Sequence, residues 1–381
     1  MKPALLFYCQ HSVGLGHLTR SYALCRALSE PFRVVLVTGG QPPAGIEPPH
    51  EVDLVALPPL GVGADGRFES HDRRFSVERA WAARREQILA TFDELDPAVV
   101  LVELFPFGRA KFARELVPLL EAARAAGAVT ACSLRDILVS RRSNQREHDE
   151  RACRLANAHL DAVLVHCDPT FARLEDTFGA RARLAVPVRY TGFVVDGDDT
   201  PPGIGTQVVV SAGGGLVGGP LLRAAAAAQS LLGVPMKLIA GPFCPAEDRR
   251  HLEAAAAAQE GLEVVQTVPD LAEELRAAAA SVSQCGYNTA LEVVRSGVPA
   301  LVVPYATPEE DEQLHRARRL ARLGALRVLH PDRLDPVTLA AAIEGLLTFD
   351  PVPPALDFDG AGRTAAILTE LTPATAEART A

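Results

Sequence analysis

The sequence predicts an α/β protein with two parallel sheets in tandem, and three observations carry that prediction. Short, continuous Val/Leu/Ile runs recur along the chain, most are followed by a helical stretch, and a Gly/Pro/Asp-rich segment divides the series in two. Apolar runs without polar alternation suit strands buried on both faces, the condition of a parallel sheet covered by helices. The first series is "ALLFYC" from Ala4, "RVVLVTGG" from Arg33, "VDLVAL" from Val52, "AVVLVE" from Ala98, "AVTACS" from Ala128 and "DAVLVH" from Asp161. Residues 1–193 are accordingly read as one Rossmann-like domain. Within "YTGFVVDGDDTPPGIG", residues 194–206 have little to bury and read as a linker. The second series runs from "TQVVVSAGGG" through "MKLIAG", "LEVVQ", "SVSQ" and "ALVVPY" to "ALRVL", a second Rossmann-like domain over 207–351. The tail, 352–381, starts Pro-rich and becomes amphipathic, and is expected to pack back on the first domain. A cleft between two such domains is the default place for a ligand.

Composition narrows the function classes. A length of 381 residues suits two domains, and 48% apolar with 22% charged residues describes an ordinary globular chain. The formal charge of -9 disfavours a nucleic acid as partner, since that contact leans on clustered Lys and Arg. "RRSNQREHDERACR" (141–154) is locally basic, but its spacing is that of a solvated helix face. No 18-residue apolar stretch appears, and the N-terminus reads as a strand rather than a signal peptide, so a cytoplasmic protein is expected. Seven cysteines without a C-x-x-C pair read as reduced and idle.

Two glycine loops follow strands and open helices. In "HSVGLGHLTRSYALCRAL", Gly14 and Gly16 allow close backbone approach beside His17, but Thr19 stands where a dinucleotide fingerprint needs its third glycine. In "VVVSAGGGLVGGPLLRAA", Gly213, Gly215 and Gly218 match G-x-G-x-x-G, yet no acidic residue follows about 20 positions on, which removes the case for NAD. What remains is a loop of free N–H groups at Gly213, Gly214 and Gly215 suited to a phosphate or diphosphate, or a plain tight turn. In "SQCGYNTALEVVRSGVPALVVPY" (283–305), Gly286 and Asn288 fit a turn, with Asn288 or Thr289 near an N-cap and Glu292 within the first turn or so. That carboxylate either accepts both hydroxyls of a ribose or contacts only water.

The run from Ser283 through Gly286, Thr289 and Glu292 to "GVPALVVPY" and "EDEQLHRARRLARLGA" resembles the donor-nucleotide signature of GT-B glycosyltransferases. It is most similar to the family of the peptidoglycan N-acetylglucosaminyltransferase, and within it to a subgroup of predicted bacterial enzymes carrying "FPFGR" (105–109) and "SLRDIL" (133–138). The G-x-G-H-x-x-R pattern of Gly14, Gly16, His17 and Arg20 occurs in the same order as in that family. The resemblance implies two Rossmann-like domains and a nucleotide sugar, UDP-linked, as co-substrate, with no cofactor and no metal. It puts the diphosphate on the glycine loop with Gly286 and Asn288, the ribose on Glu292, and the donor sugar on Glu312 and Gln313. Glu312 replaces a glutamine usual in the family, which leaves the donor sugar open.

The chemistry fits these parts. A base must take the proton of the attacking hydroxyl, and a histidine titrates near the operating pH. His17 is the candidate base and His11 a weaker one. Arg20 is read as touching phosphate or a nearby carboxylate. Glu103 and Asp136 follow strands near the cleft and are read as acceptor contacts, substitute bases or structural residues. The acceptor is a lipid, a sugar, a peptide or a small natural product, and "LFPFGRAKF" pairs aromatics with cations that suit either a membrane surface or core packing. "DGDD" (196–199) has a D-x-D spacing but sits in the linker and reads as solvated loop. The rival readings are a nucleotide-sugar hydrolase, in which His17 activates water, and a sensor that binds nucleotide sugar without catalysis.

Overall fold

The computed structural model describes residues 2–11, 16–40, 47–62, 67–140, 143–196, 203, 205–308 and 310–373. The first domain runs β1 (Ala4–Cys9), α1 (Gly16–Leu28), β2 (Arg33–Thr38), β3 (Asp53–Ala56), β4 (Leu60–Val62), β5 (Phe68–Ser70), α2 (Val77–Leu95), β6 (Val99–Glu103), α3 (Ala113–Ala125), β7 (Val129–Arg135), α4 (Gln145–His159), β8 (Ala162–His166) and β9 (Val188–Tyr190). The second runs β10 (Val208–Ser211), α5 (Gly219–Leu232), β11 (Met236–Ile239), α6 (Ala246–Ala258), β12 (Leu262–Val265), α7 (Leu271–Arg276), β13 (Ala280–Ser283), α8 (Tyr287–Ser296), β14 (Ala300–Val302), α9 (Glu312–Arg322), β15 (Arg327–Val328) and α10 (Pro336–Leu346). A further helix, α11 (Gly360–Leu371), follows. β6 and β8 are buried along their whole length, as strands with helices on both faces must be.

Both sheets have the same plan. The first is ordered β3-β2-β1-β6-β7-β8-β9 and the second β12-β11-β10-β13-β14-β15, with every pair parallel. Strand order reverses between β1 and β6 in one sheet and between β10 and β13 in the other, and the crevice outside such a reversal is where doubly wound sheets bind ligands. The loop after β1 leads to His17, and β6 ends at Glu103. The loop after β10 carries Gly213–Gly215, and β13 leads to Gly286. The antiparallel hairpin of β4 and β5 lies outside the pattern of apolar runs, because its strands are short and rich in Gly and polar residues.

The two domains share a packed seam. Phe171, Phe193 and Tyr287 belong to one apolar cluster, with ring centroids 5.3 and 6.1 Å apart along that series. α11 packs on α1, with Ala365 and Leu368 joining Leu18, Tyr22 and Leu24 in one core. The chain entering α11 pairs with the end of the first domain through a bridge between Val194 and Asp359 and a 3.0 Å bond from Gly360 N–H to the Phe193 carbonyl. All seven cysteines are buried and unpaired, and burial pushes the Cys9 and Cys285 thiols up to about 12.

A polar cluster is enclosed in the first domain. Arg84 reaches Glu115 (2.9 and 2.6 Å), Gln10 (2.7 Å) and the carbonyls of Gly39 and Pro58 (both 2.9 Å), while Tyr8 donates to Glu115. Every charge there is matched, so the cluster fixes the chain after β1 and β2 rather than offering a site.

Candidate functional site

On the first-domain wall, α1 starts at Gly16 and presents His17 in its first turn. His17 Nδ1 lies 2.7 Å from Glu103 Oε1, and the Arg20 guanidinium pairs with the same carboxylate oxygen. Adjacency of β1 and β6 in the sheet makes this contact possible, because β1 leads into the loop and helix that carry His17 while Glu103 ends β6. Glu103 is fully buried, as is Arg20, and the His17 side chain is 15% exposed. Burial lowers His17 to about 4, with Arg109 and Arg135 adding to that effect and Glu103 opposing it. Burial also opposes charge on Glu103, but His17, Arg20 and Arg109 outweigh it and hold the carboxyl at about 2. At neutral pH the pair is therefore a carboxylate and a neutral imidazole. Nδ1–H donates to Glu103, and Nε2 keeps a lone pair with no partner among the described residues.

On the opposite wall, α8 begins at Tyr287 with Gly286 as its N-cap, in extended conformation and with open space where a Cβ would stand. The expected cap at Asn288 or Thr289 is thus two or three residues late, and Glu292 falls in the second turn rather than the first. Asn288 is used across the cleft instead, its Nδ2 donating to the Gly16 carbonyl at 3.1 Å. That bond places the start of α8 against the residue next to His17.

Glu292 has no hydrogen bond or ion pair among the described residues, and burial, with Asp270 and Asp196 adding, lifts its carboxyl to about 7. An unpartnered, shielded carboxyl beside two other acids is costly unless a ligand donates to it. The Gly213–Gly215 loop lies close by, since an added Cβ on Gly213 would come 4.0 Å from Thr289 Oγ1. Gly213 and Gly215 hold φ of 58° and 89°, conformations that favour glycine. The expectation of a loop of free N–H groups needs correction at these two positions. Gly213 N–H donates to Ser211 Oγ (3.3 Å) and Gly215 N–H to the Ala212 carbonyl (3.1 Å), because the turn closes on itself, and Gly214 N–H makes neither bond.

Several expected contacts are occupied within the protein. Asp136 is held by Arg316 through two bonds of 2.7 Å, one to each oxygen, in a buried ion pair, which speaks for a structural role rather than a base. Glu312 is paired with Arg135, and Gln313 Oε1 accepts from Cys285 N–H (3.0 Å) and Tyr305 N–H (3.1 Å), tying the start of α8 to the segment after β14. Arg20 takes the carboxylate role and stacks 5.2 Å over Tyr287. His11 is buried in the loop after β1. Gly14 and most of "DGDD" lie outside the described residues, while Asp196 pairs with Arg26.

Three residues of the site went unread in the sequence. Arg109 and Arg135 act on the charge of His17, and Arg109 holds φ of 54° at the end of "FPFGR", with Leu104, just before that motif, at 63°. Arg316 sits in "EQLHRARRL", a stretch in which only Glu312 and Gln313 were singled out from the sequence. Only the buried positions Leu314, Ala317 and Leu320 flanking it hint that it points inward.

Residues 246–355 match the glycosyltransferase family 28 C-terminal domain. The chain is 31% identical over 202 residues to the UDP-N-acetylglucosamine--N-acetylmuramyl-(pentapeptide) pyrophosphoryl-undecaprenol N-acetylglucosamine transferase of Azotobacter vinelandii, covering 51% of this chain and 55% of that one. To the Phenylobacterium zucineum enzyme of the same name it is 36% identical over 86 residues, 23% of this chain and 24% of that one. The chain thus spans about a quarter to about half the length of the curated relatives it matches. Among solved structures, MurG of Acinetobacter baumannii aligns at TM-score 0.56 and 17% identity over 97% of this chain and 99% of that one. The calicheamicin glycosyltransferase CalG4 aligns at 0.58 and 18% over 98% and 94%. At these identities the likeness is one of fold. No helix among the described residues is long and apolar enough to cross a membrane. The chain thus carries, over residues 246–355, a stretch that matches the glycosyltransferase family 28 C-terminal domain, and its two-domain architecture is the GT-B fold.

Proposed function

We propose that the protein transfers a hexose-type sugar from a nucleotide diphosphate donor, UDP-linked, to an acceptor hydroxyl by direct displacement with inversion. The observation that carries this reading is the Asn288–Gly16 bond. It sets the helix that carries Glu292 against the helix that carries His17, which supports reading the two as a nucleotide contact and a base on one cleft. In this reading Glu292 accepts the ribose hydroxyls, and Gly214, Gly286 and the amino end of α8 receive the diphosphate. Gln313 and Glu312 meet the donor sugar, Glu312 after release from Arg135. The acceptor oxygen bonds to the anomeric carbon as the bond to the diphosphate breaks, and His17 Nε2 takes the acceptor proton. Glu103 fixes the tautomer and balances the imidazolium that forms. Backbone N–H groups at the helix terminus stabilise the leaving diphosphate, with no metal and no cofactor assigned to the step. The acceptor, a lipid, a sugar or a small natural product, meets the first-domain wall. The names of the matched relatives, which act with UDP-N-acetylglucosamine on a lipid-linked acceptor, support this donor class.

The test is nucleotide release from a panel of UDP- and dTDP-sugars, with and without cell extract as acceptor source, for the native protein, His17→Ala and Glu292→Ala. Release that needs extract and collapses in both variants supports the transferase. Fast release without extract would show a hydrolase. Binding sensitive only to Glu292, with no turnover, would show a sensor.

A further inference from the structure

Resting on that reading, we propose that Arg316 is a positioning residue of the transfer reaction: it sets the span between the donor loop and the wall that carries His17. Its guanidinium makes three bonds to two domains. Nε and Nη2 each reach Asp136 at 2.7 Å, and Nη1 reaches the Cys285 carbonyl at 2.7 Å. Asp136 follows β7 in the first domain. Cys285 directly precedes Gly286, the cap of the nucleotide-facing helix α8. One planar fork therefore joins the two walls of the cleft, with both partners of the ion pair essentially closed to solvent.

The connection to the base is short. Ser133 of β7 lies opposite Glu103 of β6 in the sheet register, Asp136 comes three residues after Ser133, and Glu103 holds His17. A shift of Asp136 relative to Cys285 is thus a shift of His17 relative to the donor diphosphate. The Tyr287 ring supports the same joint. It lies 5.9 Å from the Arg316 guanidinium, and its hydroxyl donates to the His166 carbonyl (2.9 Å) in the first domain and accepts from N–H of Val194 (3.0 Å) directly after that domain. Two further charged contacts cross the cleft among the described residues, Arg135–Glu312 and Arg319–Asp176; both are more open to water than Arg316–Asp136, the second the more so. A lysine cannot replace the fork, because an ammonium cannot give two parallel bonds to Asp136 and a third to Cys285. Misplacement by about 1 Å costs a transfer reaction on the order of a hundredfold in rate.

The experiment uses the full chain with Ala82→Cys and Ala254→Cys, exposed positions on α2 and α6, carrying a pair of spin labels to report domain separation. The native cysteines are buried and stay unlabelled. UDP affinity and sugar transfer from the donor found active are measured alongside. In Arg316→Lys the expected result is a widened label distance, UDP affinity within about threefold of native, and transfer reduced on the order of a hundredfold with an unchanged pH profile. The double variant Asp136→Leu with Arg316→Met removes the buried charges together, which preserves folding, and is expected to show the same widening and rate loss. Native label distance and native rate in Arg316→Lys would overturn the proposal. So would a loss of UDP affinity and folding cooperativity with no widening, which is a core role only. Absence of turnover in the native protein sinks the transferase reading, whereas an unchanged label distance sinks the positioning of the walls whatever the native rate.

Discussion

Glu292→Gln should make the free protein more stable and the donor-bound protein impossible to form well. The substitution keeps the shape of the side chain and removes its charge. In the fold the carboxyl is lifted from its ordinary 4.5 to about 7 by burial, with Asp270 and Asp196 adding. The unfolded chain releases this proton near 4.5 and the native one near 7, so between those values the native state binds more protons and its stability falls as pH rises. Below about 4.5 both states are protonated and nothing is lost; above about 7 the full penalty is present. At about 1.4 kcal/mol per tenfold change in ionisation the ceiling is about 3 kcal/mol, and relaxation around the site reduces it. Urea unfolding of the native protein and Glu292→Gln from pH 4.5 to 8.5 should give curves that coincide at the acid end and separate by about 1–3 kcal/mol at the alkaline end, the variant being the more stable. In the same samples UDP should stabilise the native protein and have little effect on the variant. A difference independent of pH, or a less stable variant at pH 8, would refute the account of Glu292 as a shielded carboxyl waiting for hydroxyl donors.

Other expectations concern rate and geometry. His17→Ala should lower transfer by about 10²- to 10⁴-fold and leave UDP affinity nearly intact by calorimetry. Glu103→Gln should lower rate as well, and it should also destabilise the fold by about 3–5 kcal/mol, because Arg20 is left buried without its counter-charge; denaturant curves separate the two effects. The pH dependence should divide between parameters. kcat/KM for donor should rise through about pH 7 as Glu292 ionises, whereas kcat should hold level from about 5 upward because His17 is already neutral. Gly215→Ala forces an alanine into φ of 89° and drives its Cβ into the Ala240 carbonyl, so stability should drop by more than about 1 kcal/mol and UDP binding should weaken; a melt and a UDP titration check both.

The α/β class and the apolar strands could be read from short runs because parallel strands buried on both faces write themselves as continuous apolar sequence. The hairpin β4–β5 could not, because two three-residue strands, one centred on Gly61 and the other carrying Glu69 and Ser70, are too short and mixed to write an apolar run. That His17 and Glu292 lie on helices following glycine loops was legible because Gly16 and Gly286 mark where those helices start, whereas their roles as base and ribose contact were read from the resemblance. What could not be read was pairing. Asp136 stands 180 positions from Arg316, and Arg135 stands 177 from Glu312, and nothing local to a carboxylate tells whether a distant arginine claims it. The residues most open to misreading were therefore the charged ones at the seam, where each half of the chain supplies one partner.

The docking of α11 on α1 has a consequence for synthesis. The first domain precedes the second in the chain, but one face of it, around Leu18 and Tyr22, is covered by a helix encoded after the whole second domain. At about 5–20 residues per second the ribosome leaves that face bare for on the order of ten to thirty seconds after Phe193 has been made. The nascent chain thus carries a finished sheet with an apolar flank during the assembly of the second one. Proteases and chaperones meet the amino-terminal half in that window. Nonsense codons near position 355 should injure the half made first, and leave the half made second comparatively sound.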